Sequence, residues 1–166
     1  MVRLLIGVNS IDGWLLDDTS WLSNDDAPAC ITRELRVSKD NQLSVWRIPS
    51  ESEADKVAVS LAVGRNEHDV YYYVLFDSGE LEGLNVQIKE NPGMSKNSSI
   101  NHLHSDLINL SSRQLSGIVE IAYKKTPTTL APHEIKELVL AEVSSGSIDP
   151  SSLSRKMRTQ LDLASS

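Results

Sequence analysis

Cysteine is almost absent from this sequence, because Cys30 is the only one in 166 residues. A single cysteine cannot form an intrachain disulfide, and it excludes zinc sites built from several thiolates. Nothing in the sequence therefore indicates an oxidising compartment, and the cytoplasm is the predicted location.

Long hydrophobic runs are also lacking. No stretch approaches the roughly 20 apolar residues that a membrane-crossing helix needs, and the apolar run over residues 4–8 is about half the length of a signal-peptide core. We therefore expect a soluble protein without membrane contact.

Basic residues are outnumbered 16 to 23 by acidic ones, which gives a formal net charge of −7 and a pI near 5.0. This average charge repels phosphate backbones and lipid headgroups, so nucleic acids and membrane surfaces are disfavoured as partners. Apolar residues make up 40% of the chain and charged residues 23%, which is ordinary for one globular domain.

Several catalytic frameworks are missing as well. The sequence contains no G-x-S-x-G elbow, no G-x-G-x-x-G loop and no phosphate-binding G-K-[ST] sequence. These absences argue against nucleotide-dependent enzymes and serine hydrolases of those types, and no cofactor is predicted. Cys30 is expected to be a small buried hydrophobic residue.

The first half of the chain is predicted to be mainly β, with one helix. Residues 2–9 are rich in Leu, Ile and Val and predict a buried strand. Alternation over residues 31–37 and 43–48 predicts a hairpin. A helical stripe follows, which we expect to lie in the core beside a central strand containing Val74. The stripe consists of Ala54, Val57, Ala58, Leu61 and Ala62.

The predicted central strand covers residues 69–76, where both faces are apolar or aromatic. Residues 84–89 alternate and predict a half-buried strand. Residues 91–101 hold Pro, Gly, Ser and Asn without a periodic pattern, which predicts a mobile loop.

Three helices are predicted beyond residue 111. Ser111 and Gln114 can form a capping box, Pro132 suits a first helical turn, and a last helix is expected to begin near Asp149. The predicted buried stripes are Leu115, Ile118, Val119 and Ala122; Ile135, Leu138, Val139 and Val143; and Leu153, Met157 and Leu161.

The resulting expectation is an α+β fold in a single domain over residues 1–166. Residues 1–90 are predicted to be mainly β with one packing helix, residues 91–101 a loop, and residues 102–166 helical. The sheet is expected to be antiparallel or mixed, with about five strands.

His102, His104 and Asp106 form the first candidate for chemistry. Two histidines two residues apart on an extended segment project from one face and can share a metal. The run H-L-H-S-D resembles the H-x-H-x-D-H motif of metallo-β-lactamase-like hydrolases, although Leu107 stands where that motif has its last histidine. The alternative interpretation is a set of polar residues at a loop or helix start.

Asp77, Gln87 and Lys89 form a second candidate site. Their order resembles nucleases of the restriction-endonuclease-like class, in which an acidic residue ends one strand and a Q-x-K pair on the next helps to hold magnesium. The solvated face of any half-buried strand looks similar, and the net charge is unfavourable for a DNA substrate.

Arg155, Lys156 and Arg158 make the last predicted helix basic, after a short turn, as in a helix-turn-helix DNA-binding protein. The alternative is a solvated face whose cations interact favourably with the helix macrodipole.

An acidic, tryptophan-bearing stretch lies between Asp12 and Asp26. Tryptophan is frequent at protein interfaces and aspartates can steer a basic partner, whereas the alternative places the tryptophans in the core.

The leading hypothesis is therefore a non-catalytic interaction or regulatory domain that binds another protein, followed by a metal-dependent hydrolase or nuclease and by a DNA-binding regulator. Homo-oligomerisation is left open. The predicted partner-binding residues are Trp14, Asp17, Asp18, Trp21, Asp25 and Asp26.

Overall fold

The computed structural model describes residues 3–8, 35, 37–38, 40–65 and 70–163. In chain order the strands are β1 (Arg3–Val8), β2 (Leu43–Ile48), β3 (Tyr71–Asp77), β4 (Gln87–Glu90), β5 (His104–Ile108) and β6 (Thr128–Leu130). The α-helices are α1 (Glu51–Arg65), α2 (Ser112–Tyr123), α3 (Pro132–Ser144) and α4 (Arg155–Gln160). The described residues also form three 3-10 segments, Ser78–Leu84, Ser98–Leu103 and Pro150–Ser152.

The strands form one six-stranded sheet in the order β4-β5-β2-β1-β3-β6, and every neighbouring pair is antiparallel. The α+β expectation is confirmed, with six strands in place of about five. β3 is an interior strand as predicted, but it lies one position from the edge because β6 pairs beyond it.

Both faces of the sheet centre are covered by helices. Successive residues of a strand point to opposite faces, so Leu5 and Tyr73 pack with α1, α3 and α4, whereas Ile6 and Val74 pack with α2. We call these the α1 face and the α2 face. Val74 therefore lies in the core, but on the face away from α1, whereas the sequence predicted that it would pack beside the α1 stripe.

The predicted helices α1 and α2 are present with the expected buried stripes. In α1, Ala54, Val57 and Ala58 are buried, while Leu61 is only partly buried. The capping box of α2 forms, because the Gln114 N–H donates to Ser111 Oγ at 3.3 Å and the Ser111 N–H donates to Gln114 Oε1 at 2.9 Å. The buried residues of α2 are Leu115, Ile118, Val119 and Ala122.

The C-terminal helices follow the prediction less closely. Pro132 begins α3 as expected, and Ile135 and Val139 are buried together with Glu142. The helix predicted from Asp149 instead starts as a 3-10 turn and becomes α-helical only at Arg155. Its predicted apolar residues, Leu153, Met157 and Leu161, are all buried.

The hairpin predicted from residues 31–37 and 43–48 is wrong. β2 uses one edge to pair with β1 and the other to pair with β5, so neither edge is left for another strand. Leu35 is helical and buried, and Val37 is irregular. Residues 31–34 lie outside the described part of the chain.

Two further expectations about secondary structure are corrected. The strand expected over residues 84–89 is β4, which starts at Gln87 and is exposed along its whole length instead of half-buried. Residues 102–166 are not entirely helical, because β5 and β6 both belong to the sheet. None of the described helices is long and apolar enough to cross a membrane.

Candidate functional site

β4 forms one edge of the sheet, and all four of its residues are exposed. Among the described residues its only strand neighbour is β5, with Lys89 opposite Asp106 and Ile88 opposite Leu107. An edge strand carries backbone N–H and C=O groups on its outer side that no sheet neighbour uses. β4 can therefore hydrogen-bond to a further strand.

On its α2 side β4 borders a cavity with both apolar and polar lining residues. Ile88 is 46% exposed, and it borders a cavity of about 290 Å³ together with Leu81 and Val86. Ser78, Glu82 and Asn85 supply the polar part of the lining. An apolar side chain of a bound strand would fit beside Ile88.

The loop of residues 91–97 continues directly from β4, and a polar clamp fixes its beginning to β5. Asn91 Nδ2 donates to Asp106 Oδ2 at 2.6 Å, and the Asn91 carbonyl oxygen accepts from Nδ1 of His104. His104 Nε2 lies 3.7 Å from Asp106 Oδ1, and the two side chains are 11% and 9% exposed. The carboxylate and the imidazole together hold both the backbone and the side chain of Asn91.

Gly93 brings the same loop close to the α1 face. A Cβ atom at this position would lie 2.8 Å from Cη2 of Trp46 and 3.1 Å from Cβ of His104. The Trp46 and His104 rings meet edge-on, with centroids 4.9 Å apart. Glycine is required because any larger residue would push the loop away from this ring pair.

A second clamp fixes the end of the loop to α3. Asn97 is fully buried, and its Nδ2 donates to Oε2 of the buried Glu142 at 2.7 Å. Its Oδ1 accepts from the backbone N–H of Ser99 at 3.1 Å. Residues 91–97 of the predicted loop are thus irregular as expected, whereas residues 98–101 belong to the 3-10 segment Ser98–Leu103. Buried polar bonds anchor this region, and its predicted mobility stays a prediction.

Between the two clamps the loop presents Met94, which is 98% exposed. Methionine is flexible and polarisable, and it adapts well to apolar pockets of a partner. The loop therefore offers an apolar side chain on a backbone that is fixed at both ends.

Ser44 joins the His104 and Asp106 cluster, but the arrangement is not that of a serine hydrolase. Ser44 Oγ donates to Asp106 Oδ1 at 3.3 Å, and Ser44 and His104 both line a cavity of about 260 Å³. A serine nucleophile needs the histidine between serine and aspartate, whereas here the aspartate lies between the other two. The cluster orders the chain and is not arranged to activate Ser44.

The predicted metal site is only partly assembled. His104 and Asp106 are neighbours on β5, while His102 is exposed near the end of the preceding 3-10 segment. Across the described ranges no three His, Cys, Asp or Glu side chains are grouped so that they could hold a metal ion. Both ring nitrogens of His104 already face protein partners.

The predicted nuclease residues are not brought together. Asp77 ends β3, and Gln87 and Lys89 lie on β4, with β1, β2 and β5 between these strands. Four strand spacings separate them by about 19 Å. The residues follow one another in sequence, but the 3-10 segment Ser78–Leu84 carries the chain to the opposite edge of the sheet.

Two predicted sites remain, the basic residues near the C-terminus and the acidic, tryptophan-bearing stretch. Arg155 and Lys156 are exposed and Arg158 is partly buried, on a helix of six residues whose Met157 packs into the core. The six predicted partner-binding residues, Trp14, Asp17, Asp18, Trp21, Asp25 and Asp26, lie outside the described residues, so that site stays a prediction.

No family model matches the chain, and neither the curated proteins nor the solved structures yielded a match.

Proposed function

We propose that this chain is a non-catalytic protein-binding domain that adds an extended segment of its partner to the edge of β4. The observation that carries this proposal is that all four residues of β4 are exposed, at the end of a sheet whose centre is covered on both faces. In this mode of recognition main-chain hydrogen bonds supply affinity, and alternate side chains supply specificity.

Two features of the site support specific binding over nonspecific edge pairing. β4 is short and carries Lys89, and both properties discourage aggregation through an open edge. The clamps on Asn91 and Asn97 fix the adjoining loop before binding, which lowers the entropy lost on association.

The proposal can be tested with a library of random nine-residue peptides displayed on phage and selected against the purified full chain. Ile88→Pro and Lys89→Pro are the informative variants. Adjacent residues of an antiparallel strand alternate in whether their backbone groups face the existing neighbour. One of the two prolines therefore removes an outward N–H while leaving the ladder with β5 intact.

We expect that variant to keep the melting temperature of the wild type and to bind the selected peptides at least about tenfold more weakly, a loss of about 1.4 kcal/mol. Thr129→Pro, in the opposite edge strand β6, is the matched control and should leave binding unchanged. Selected peptides that bind both β4 variants as tightly as the wild type would show that the edge of β4 is not the site.

A further inference from the structure

We infer that Met94 is a modification site, at which a hydroperoxide oxidises the thioether to the sulfoxide and thereby weakens binding of the segment added to β4. The effect on binding rests on the proposed function, because it places the continuation of the bound strand on Met94. The oxidation itself is a property of the free protein.

The methionines of this chain differ in their access to solvent. The sequence contains three, and the structure describes two of them. Met94 is 98% exposed, whereas Met157 is 3% exposed and belongs to the core on the α1 face. An oxidant in solution therefore reaches the sulfur of Met94 directly, while the sulfur of Met157 becomes accessible only when the fold opens locally.

Asn101 holds both chain neighbours of Met94 in place. Its backbone carbonyl oxygen accepts a hydrogen bond from the Gly93 N–H at 2.8 Å, and its Oδ1 accepts one from the Ser95 N–H at 2.9 Å. Asn101 belongs to the 3-10 segment Ser98–Leu103, whose buried residues pack on the α1 face. The backbone on either side of Met94 is thus tied to the core, and the thioether between these ties is displayed to solvent.

Met94 also lies on the path of a strand bound at β4. Two of the three exposed large apolar side chains in the described part of the chain, Ile88 and Met94, lie on β4 or four positions beyond its end at Glu90. A bound strand of nine residues is about 30 Å long, more than twice the length of the four-residue β4. Its extension past Glu90 places apolar side chains on Met94, which adapts well to such contacts.

The oxidation is a two-electron transfer of one oxygen atom. A lone pair of the Met94 sulfur attacks one oxygen of the hydroperoxide, and the S–O bond forms as the O–O bond breaks. The leaving oxygen takes up the proton of the transferred oxygen and departs as water or as an alcohol. The product is a polar sulfoxide, which disrupts apolar contacts and which methionine sulfoxide reductases can convert back.

The test treats the purified full chain with hydrogen peroxide and removes the peroxide before any peptide is added. Mass spectrometry of proteolytic fragments measures sulfoxide at each methionine. Fluorescence anisotropy measures the affinity for library peptides whose binding depends on β4. The variants are Met94→Gln, which is polar, and Met94→Leu, which is apolar and has no sulfur. Met157→Leu is the matched control, because it removes a sulfur while nearly conserving core volume.

We expect Met94 to be oxidised at least about tenfold faster than Met157, which reacts only through local opening. The oxidised protein should bind the peptides at least about tenfold more weakly, because an apolar contact is lost. Met94→Gln should bind as weakly without any peroxide. The affinity of Met94→Leu should be the same before and after treatment, whereas Met157→Leu should behave like the wild type in both states.

Equal oxidation rates at Met94 and Met157 would overturn the modification site. Complete oxidation of Met94 with unchanged peptide affinity would overturn the effect on binding and leave strand addition at β4 standing. A loss of affinity that persists in peroxide-treated Met94→Leu would assign the effect to another oxidised residue and contradict the role of Met94. The absence of any β4-dependent peptide would overturn strand addition and the effect on binding together, while the oxidation rates would still decide the modification site.

Discussion

The centre of the sheet and its β4 end are held together by different forces. Around β1 and β3, apolar side chains pack against helices on both faces, and this packing is non-directional. At the β4 end, Asn91 and Asn97 attach the loop through directed hydrogen bonds to buried acceptors. The difference shows how a fold can keep one strand exposed and still well positioned, because polar clamps fix its continuation without covering its edge.

The largest expected effect is the loss of unfolding free energy on truncating an apolar side chain, which should differ between the two regions. Leu5 is completely buried between β2 and β3, so Leu5→Ala should lower the free energy of unfolding by about 2–5 kcal/mol. Ile88→Ala, on the exposed edge, should change it by less than about 0.5 kcal/mol. Urea titrations of both variants measure the free energy of unfolding. An equal loss of this free energy in the two variants would mean that the β4 end is as tightly packed as the centre.

A smaller effect is expected at the second clamp. Asn97→Ala removes the donor to the buried Glu142 carboxylate, and an unsatisfied buried acceptor costs about 1–3 kcal/mol. The variant should also be cut by protease within residues 91–101 sooner than the wild type. Ser98→Ala, at an exposed neighbouring position, is the control and should resemble the wild type in both assays. A wild-type urea midpoint for Asn97→Ala would mean that the clamp does not hold the loop.

The smallest expected effect is the pH-dependent contribution of Glu80 to the free energy of unfolding. The hydrogen bond from the Lys125 ammonium, followed by that from the Asp77 backbone N–H, lowers the pKa of Glu80 below its ordinary value of 4.5. A lowered pKa means that Glu80 stabilises the folded state above the pKa of the unfolded chain, and that this contribution disappears as pH falls through the folded pKa.

Because the Lys125 and Glu80 side chains are 32% and 34% exposed, solvent screening limits the contribution to less than about 1 kcal/mol at neutral pH. Glu80→Gln should therefore be slightly less stable than the wild type at pH 7 and equal to it well below pH 4.5. A stability difference between the two proteins that stays constant over this range would contradict the role of the ionised carboxylate.

The centre of the fold could be predicted from the sequence because its signals are local. The stripe of α2 repeats at helical spacing, and its capping box needs only Ser111 and Gln114, three positions apart. β1 and β3 are recognised from their own apolar composition. Which strands pair with each other is not a local property. The predicted hairpin is wrong because β2 pairs with β1 and β5, which are distant from it in sequence.

The β4 end could not be predicted in the same way. Burial of Asp106 is tolerable only because Asn91 and Ser44, 15 and 62 positions away, hydrogen-bond to its carboxylate. Without these partners His104 and Asp106 look like loop or metal-binding residues, so β5 was missed. The only local signal for the edge was the charged Lys89 in a short strand, which is also typical of an ordinary solvated face.

Hydrogen exchange of the backbone amides, read by NMR with and without the tightest selected peptide, tests strand addition at β4 most directly. Amides of β4 that face away from β5 should exchange rapidly in the free protein and become protected in the complex, because a bound strand supplies their acceptors. Amides of α3 and α4 should be unchanged. Protection that appears on those helices while the outward amides of β4 continue to exchange rapidly would contradict the account.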